Sequence, residues 1–339
     1  MPFIADSQKE LKRQSDRGRC LHYEMGERCN EIISAHSIQR SGQLAHIAED
    51  GHVYRVSVDL YKNNGRPKPR RVGVNRASTF AGFCKAHDNE LFTPIDNFPL
   101  RPDAEQVALY AYRSLCREYF VKENTVRALS NLADHCDLAP SDRNMLADCC
   151  KGHANGFNGL QYHKEQYDRA LRSKSYYDFD YTIFTSVSPC SVQLSGLLYP
   201  DYDFTGCYLQ ELGTEERPPD LITFFTAPTA DGWSFGFAWH VSSSSTCERL
   251  LGSLAAVVST GTRLEDALLR FSVPCCENHA LRISWWDALS LDSQTALMER
   301  ISLMACPFTP VPSSYLTKGC EGIANWSFEH VYTTLPAGT

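Results

Sequence analysis

Two short segments carry side chains of the kind that hold a transition metal. GRCLHYEMGERCN places Cys20 and Cys29 in a C-x8-C spacing, and FCKAHDN places Cys84 and His87 in a C-x2-H spacing. Zinc takes thiolate sulfur and imidazole nitrogen in a tetrahedron, and two ligand pairs, each delivered by a tight turn, converge four donors. Glu24-Met25-Gly26-Glu27 can form the tip of a hairpin that gathers both sulfurs of the first pair. The second pair sits where the apolar ASTFAGF runs into a helix start, so its two-residue gap puts both ligands on one turn. The spacing predicts a structural zinc site of Cys20, Cys29, Cys84 and His87; the alternative is two unrelated buried cysteines and a surface histidine.

Between the pairs, His36 follows Ile32-Ile33 and precedes Ser37-Ile38. Histidine suits general-base work because its unperturbed pKa lies near operating pH. This order of features resembles the HNH (ββα-metal) endonuclease family. There a cysteine pair precedes a strand reading Asp-His-Ile, and after an irregular segment a second pair opens a helix with a metal-binding histidine beside it. AHSIQRSG stands at the Asp-His-Ile-x-Pro stretch and FCKAHDN at the Cys-x2-Cys-His-Asn stretch, and the resemblance spans about residues 18–92, about a quarter of the chain.

The resemblance implies a zinc-stabilised, treble-clef-like ββα head, with Cys20, Cys29, Cys84 and His87 at the structural-zinc positions. It implies His36 as the base that activates water for phosphodiester attack. Asp88 falls on the family's last metal-binding histidine, where a carboxylate suits a hard cation such as Mg²⁺ or Mn²⁺. The family's first metal-binding acid is Ala35 here, and the mid-motif asparagine has Asn75, Ser78 and Thr79 as candidates. A lost acid weakens a catalytic metal site, so the resemblance carries the fold further than the activity. Two other readings of His36 stand beside this one: it ligates zinc in place of one of the four, or it caps or packs locally. His46 is expected at the surface and His52 at a strand start.

YKNNGRPKPRRVGVNR carries Arg66, Lys68, Arg70, Arg71 and Arg76, the densest basic run in the chain. A flexible basic loop can clamp a phosphate backbone without choosing sequence. Asn63-Asn64-Gly65 equally marks the run as a solvated hairpin tip. Arg40, just after His36, is a second candidate for phosphate contact, and nucleic acid, DNA ahead of RNA, is the expected partner.

These groups need a scaffold. At 339 residues with 43% hydrophobic and 22% charged side chains, the chain can bury a core and is not a disordered or low-complexity protein. No apolar run approaches the roughly 18 residues of a membrane helix, and MPFIADSQKELKRQSD lacks a signal core, so a cytoplasmic setting with reduced thiols is expected. The net charge of −7 divides into +3 for residues 1–100 and −10 for the rest, which argues against a general nucleic-acid coat but leaves local phosphate contact open.

Pro94, Pro99 and Pro102 mark a boundary. Beyond it, Asp103 can cap a helix with Val107, Ala111, Leu115 and Tyr119 on one face, and further helices are expected at 122–134, 141–150 and 160–173. FDYTIFTSV, VQLSGLL, CYLQEL, LITFFTA and WSFGFAWHV then read as an antiparallel meander of about five strands within 178–241. Helices follow at 246–257, 263–270 and 284–303, and the tail from Pro307 reads as irregular. This later region holds no G-x-S-x-G, Walker, dinucleotide or H-E-x-x-H signature. Cys149-Cys150-x2-His153 and Cys275-Cys276-x2-His279 are buried-core cysteines unless the fold joins them into a second zinc site. Trp285 and Trp286 read as core or interface anchors, and Asp178, Asp180, Asp201 and Asp203 as strand-end and turn residues.

The expectation is therefore an α+β protein with an HNH-like zinc-binding head at 1–100 and an α+β recognition, regulatory or oligomerisation domain at 101–339. Metal-dependent cleavage of nucleic acid leads, and the resemblance places such heads among nuclease effectors of bacterial antiphage systems. The alternative is a catalytically silent zinc module in a binding, regulatory or scaffold subunit, with a protein partner or a second copy meeting the later domain.

Overall fold

A computed structural model describes residues 2–58, 67–133, 139–213, 217–304 and 310–336. The chain runs α1 (Pro2–Asp16), β1 (Ile32–His36), a π-helical turn at Arg40–Leu44, α2 (Ala45–Ile47), β2 (His52–Val58), β3 (Pro67–Gly73), β4 (Thr79–Cys84) and α3 (Lys85–Asp96). It continues through α4 (Ala104–Leu132), α5 (Pro140–Arg172), β5 (Phe179–Ser186), β6 (Val192–Leu198), β7 (Ile222–Pro228) and β8 (Trp233–His240). α6 (Ser244–Ser259), α7 (Leu264–Cys275), β9 (His279–Leu281), α8 (Ile283–Ala288), α9 (Leu291–Ile301) and β10 (His330–Thr333) complete it.

β1 and β4 form a two-stranded antiparallel sheet, with Ala35 opposite Phe80 and His36 opposite Thr79. The other strands form one eight-stranded sheet ordered β10-β5-β8-β7-β6-β9-β2-β3, antiparallel at every pairing. This corrects the five-strand expectation. β5, β6, β7 and β8 lie where alternation and turn residues place them, but CYLQEL contributes only an isolated bridge between Tyr202 and Tyr208. There the Asp203 carboxylate accepts from the backbone N–H of Thr205 (2.8 Å) and of Cys207 (2.9 Å), a local turn that outcompetes a strand. The added strands are β9, three residues long, β10 in the tail read as irregular, and β2 and β3. Strands from both sides of residue 100 thus share one sheet, and β9 joins β6 to β2 through Leu281, which faces Val192 on one side and Tyr54 on the other.

Both faces of the central strands are covered, which is why they read as nearly continuous apolar runs. Phe271 of α7 packs on Phe224 and Phe237. On the other face, Tyr110 of α4 stacks on Phe225 at 4.7 Å. Gly236 is required there, since a Cβ would fall 2.9 Å from the Phe225 ring. The expected helices near 103 and at 122–134 are one helix, α4, capped by Asp103, whose carboxylate accepts from Gln106 N–H at 2.9 Å. Those at 141–150 and 160–173 merge into α5. The expected helix at 284–303 instead breaks, because Ser290 caps α9 through the N–H of Ser293 at 3.1 Å.

Candidate metal centre and the histidine beside it

Cys84 ends β4 and His87 lies in the first turn of α3, so the strand-to-helix junction delivers two donors. Cys20 and Cys29 come from the loop after α1, whose start runs beside β4 through Arg19 N–H to Ala81 O (3.0 Å) and Leu21 N–H to Gly82 O (2.9 Å). One ligand atom from each of Cys20, Cys29, Cys84 and His87 lies within 4.8 Å of all the others. His87 Nδ1 stands 3.4, 3.5 and 3.4 Å from the sulfurs of Cys20, Cys29 and Cys84. A tetrahedral ion with bonds of about 2.3 Å to sulfur and about 2.0 Å to nitrogen has S···N edges of about 3.5 Å. The four donors fit a metal such as zinc. Their sequence spacing had singled them out.

Contacts from the loop itself and from two helices position this segment. The N–H of Gly26 donates to Cys29 Sγ at 3.3 Å. Tyr112 of α4 donates to Leu21 O at 3.0 Å, Arg172 of α5 to Tyr23 O, and Arg19 lies 4.3 Å over the Phe120 ring. His22 stacks on His87 with centroids 4.1 Å apart, and burial, followed by the His87 charge, pushes its pKa down to about 3. His22 was not anticipated, because nothing local marks a histidine that serves as a ring-stacking neighbour.

His36 ends β1 outside the metal group, so it is not the fourth donor. Its Nε2 lies 3.1 Å from Val74 O. A carbonyl only accepts, so Nε2 carries the proton and the lone pair resides on Nδ1. Burial lowers the pKa of His36, the Val74 contact opposes this, and Arg40 lowers it further. Arg40 donates to Asn75 Oδ1 at 3.2 Å, which brings a cation and one of the candidate asparagines to the histidine's neighbourhood.

Asp88, in the first turn of α3, is half-buried; burial raises its pKa, Arg113 lowers it and Asp96 raises it. Arg113 and Asp96 act on His36 as well. They form a bidentate pair at 2.7 and 2.7 Å, with Arg113 4.0 Å over the Phe92 ring. This pair joins α3 to α4 across the proline-rich boundary, a tertiary contact with no local signature. Ala35 is 2% exposed, within an apolar cluster that includes Phe80, Phe92 and Ile95. Among the described residues, no group of three or more ligating side chains gathers on His36 and Asp88.

The basic run is not a loop over its described part. Lys68, Arg70 and Arg71 lie on β3, an edge of the large sheet, and Arg76 in the turn that follows. Register puts Arg70 opposite Arg55 and Arg71 opposite Tyr54, so the two arginines serve opposite faces, and Arg71 reaches Asp50 at 3.6 Å. Arg66 and the Asn63-Asn64-Gly65 tip lie outside the described residues. His46 is exposed and His52 opens β2, both as expected. The remaining cysteine clusters do not meet in a metal group among the described residues: His153 faces Lys122 at 3.4 Å, and His279 Nδ1 lies 2.7 Å from Cys276 O.

No protein-family model, curated protein or solved structure matches the chain. No helix among the described residues is long and apolar enough to cross a membrane.

Proposed function

We propose that the chain is a metal-dependent phosphodiesterase of HNH type acting on nucleic acid, its ββα element organised by zinc on Cys20, Cys29, Cys84 and His87. The observation that carries this reading is the Val74 carbonyl on His36 Nε2. It fixes the tautomer with Nδ1 basic, and burial keeps the ring neutral, the state a general base needs. His36 Nδ1 takes a proton from water, the water oxygen bonds to phosphorus, and the P–O bond to the leaving oxygen breaks. Arg40, four residues after the histidine, and Arg76, two residues after its carbonyl partner Val74, suit the phosphate charge.

Asp88 is the carboxylate that would hold a hard divalent cation, alongside water and substrate oxygens. Such an ion supplies charge neutralisation at the phosphate and leaving group. The role in antiphage defence has the family resemblance as its support. A second reading is favoured by Ala35: the family's metal acid is replaced by a methyl packed among aromatics, as in a zinc module that binds without cutting.

Plasmid nicking with Mg²⁺ or Mn²⁺, wild type against His36→Ala, separates the two. Cleavage lost in the variant supports the enzyme; no cleavage by folded, zinc-loaded wild type would sink it in favour of the binding module. Metal analysis tests the zinc independently, with about one zinc per chain expected and a ratio near zero overturning it.

A further inference from the structure

We infer that Asn278, from the later part of the chain, is a positioning residue for His36. The inference deepens the nuclease reading and rests on it only for what the histidine does, since the contacts themselves concern where the ring is held.

His36 is the last residue of β1 and lies opposite Thr79, the first of β4. Ser37, just after His36, and Ser78, just before Thr79, close the end of that two-stranded sheet. Ser37 N–H donates to Ser78 O at 3.0 Å, and the two buried hydroxyls stand 2.6 Å apart. Ile38 N–H donates to Ser78 Oγ at 3.0 Å. Ser78 holds φ at +63°, a left-handed conformation that is unfavourable for a residue with a Cβ and persists only where its surroundings over-determine it.

The large sheet supplies that constraint. Asn278 lies just before β9 and is 1% exposed. Its Nδ2 donates to Ser195 O of β6 at 3.1 Å and to Ser37 Oγ at 2.9 Å. A carbonyl only accepts, so Nδ2 must face Ser195 and the amide has one orientation; its Oδ1 is left buried with no partner. Because Ser37 Oγ accepts from Asn278, its own proton goes to Ser78 O at 3.1 Å, and Ser78 Oγ, which accepts from Ile38, donates back to Ser37 Oγ. One pattern of protons satisfies the whole link.

This link grips both ends of the contact that sets the His36 tautomer. Ser37 is the next residue after the histidine. Ser78 is four residues from Val74, across a turn in which Arg76 and Ala77 N–H donate to Gly73 O at 2.9 and 3.1 Å. Released from Asn278, the ring and the Val74 carbonyl can shift relative to each other, and a displacement of about 1 Å abolishes a hydrogen bond. Backbone strain at Ser78 and an orphaned amide oxygen on Asn278 thus fall on the one link that joins the large sheet to the candidate base.

Nitrogen NMR of full-length protein carrying isotope-labelled histidine, at pH ~8, reads the tautomer directly, with His36 assigned by the signal missing from His36→Gln. Wild type should show His36 protonated on Nε2. Asn278→Ala, which removes the donor, and Ser78→Gly, which relieves the left-handed strain while removing the hydroxyl, should each give a mixture of the Nδ1–H and Nε2–H forms. Ser114→Ala breaks the Ser114–Ser195 hydroxyl contact (2.9 Å) in the same buried network without touching Ser37, and should leave the His36 signal as in wild type even where Tm falls. In plasmid nicking, Asn278→Ala and Ser78→Gly should lower kcat about tenfold or more with KM unchanged. A tautomer that shifts in the variants of a protein that never nicks ends the nuclease reading and leaves this one standing. An unchanged His36 signal in the folded variants overturns the inference even if nicking falls. A shift of equal size in Ser114→Ala overturns it too, because the effect is then a general loosening. Circular dichroism checks folding, and Ser78→Gly carries the test if Asn278→Ala unfolds, since glycine adopts the left-handed conformation freely.

Discussion

His36 is held in one tautomer by a backbone carbonyl, so its chemistry follows its protonation. Its pKa is lowered from the ordinary 6.5, chiefly by burial. Nicking should therefore climb with pH across the acid range, where the imidazolium loses its proton, and level off by neutrality; a profile still rising steeply above pH ~8 would point to another base. Ala35 makes the opposite point. An acid placed there by Ala35→Asp would lie in an apolar cluster, and urea melts should show a loss of roughly 3 kcal/mol or more. At the metal centre the ligand types and spacing sufficed to name all four donors, since adjacent turns deliver them in pairs. The Arg113–Asp96 pair, the His22 stack and the Val74 carbonyl were not legible, because each depends on segments that meet only after folding.

Helix capping and strand edges can be tested at the level of single elements. Asp103→Ala removes the acceptor for Gln106 N–H at the start of α4 and should cost about 1 kcal/mol in denaturant melts, with the slope of unfolding unchanged. The β3 edge carries Pro67 and Pro69 among Lys68, Arg70 and Arg71. Proline withholds an edge donor and charge repels an incoming strand, so the run blunts an edge. Pro69→Val should leave the chain folded but promote concentration-dependent association, seen by light scattering; a variant that associates no more than wild type would argue that charge alone protects the edge. The sequence read β5 to β8 correctly because strands covered on both faces announce themselves by apolar length. It missed β3, β9 and β10 for contrary reasons. β3 is basic and proline-rich, β9 has three residues, and β10 is exposed along its whole length.

For the molecule as a whole, the large sheet does not respect the boundary at residue 100. Phe83 and Phe92 share an apolar cluster with Val107, Leu115 and Phe120 of α4, and β2 pairs with β9. Residues 1–100 expressed alone should therefore bind zinc without a cooperative thermal transition; a sharp transition would show that the head folds independently. Acid should destabilise the intact chain. His163 and His279, at 1% and 6% exposure, are both pushed by burial to about 4 from 6.5. A histidine whose folded pKa is depressed contributes stability that is complete above about pH 6.5 and falls as pH drops toward 4, by about 3 kcal/mol per group at pH 4. Chemical melts between pH 7 and pH 4 should show this decline, largely removed by His163→Gln with His279→Gln. The three-residue β9 has a further consequence, because it alone bridges β6 to β2 in the strand order. Deuterium uptake should divide the sheet into a slow block, β5 to β8, and a faster one, β2 with β3. The ribbon can peel away as a unit, taking its arginines with it, while the central strands stay closed.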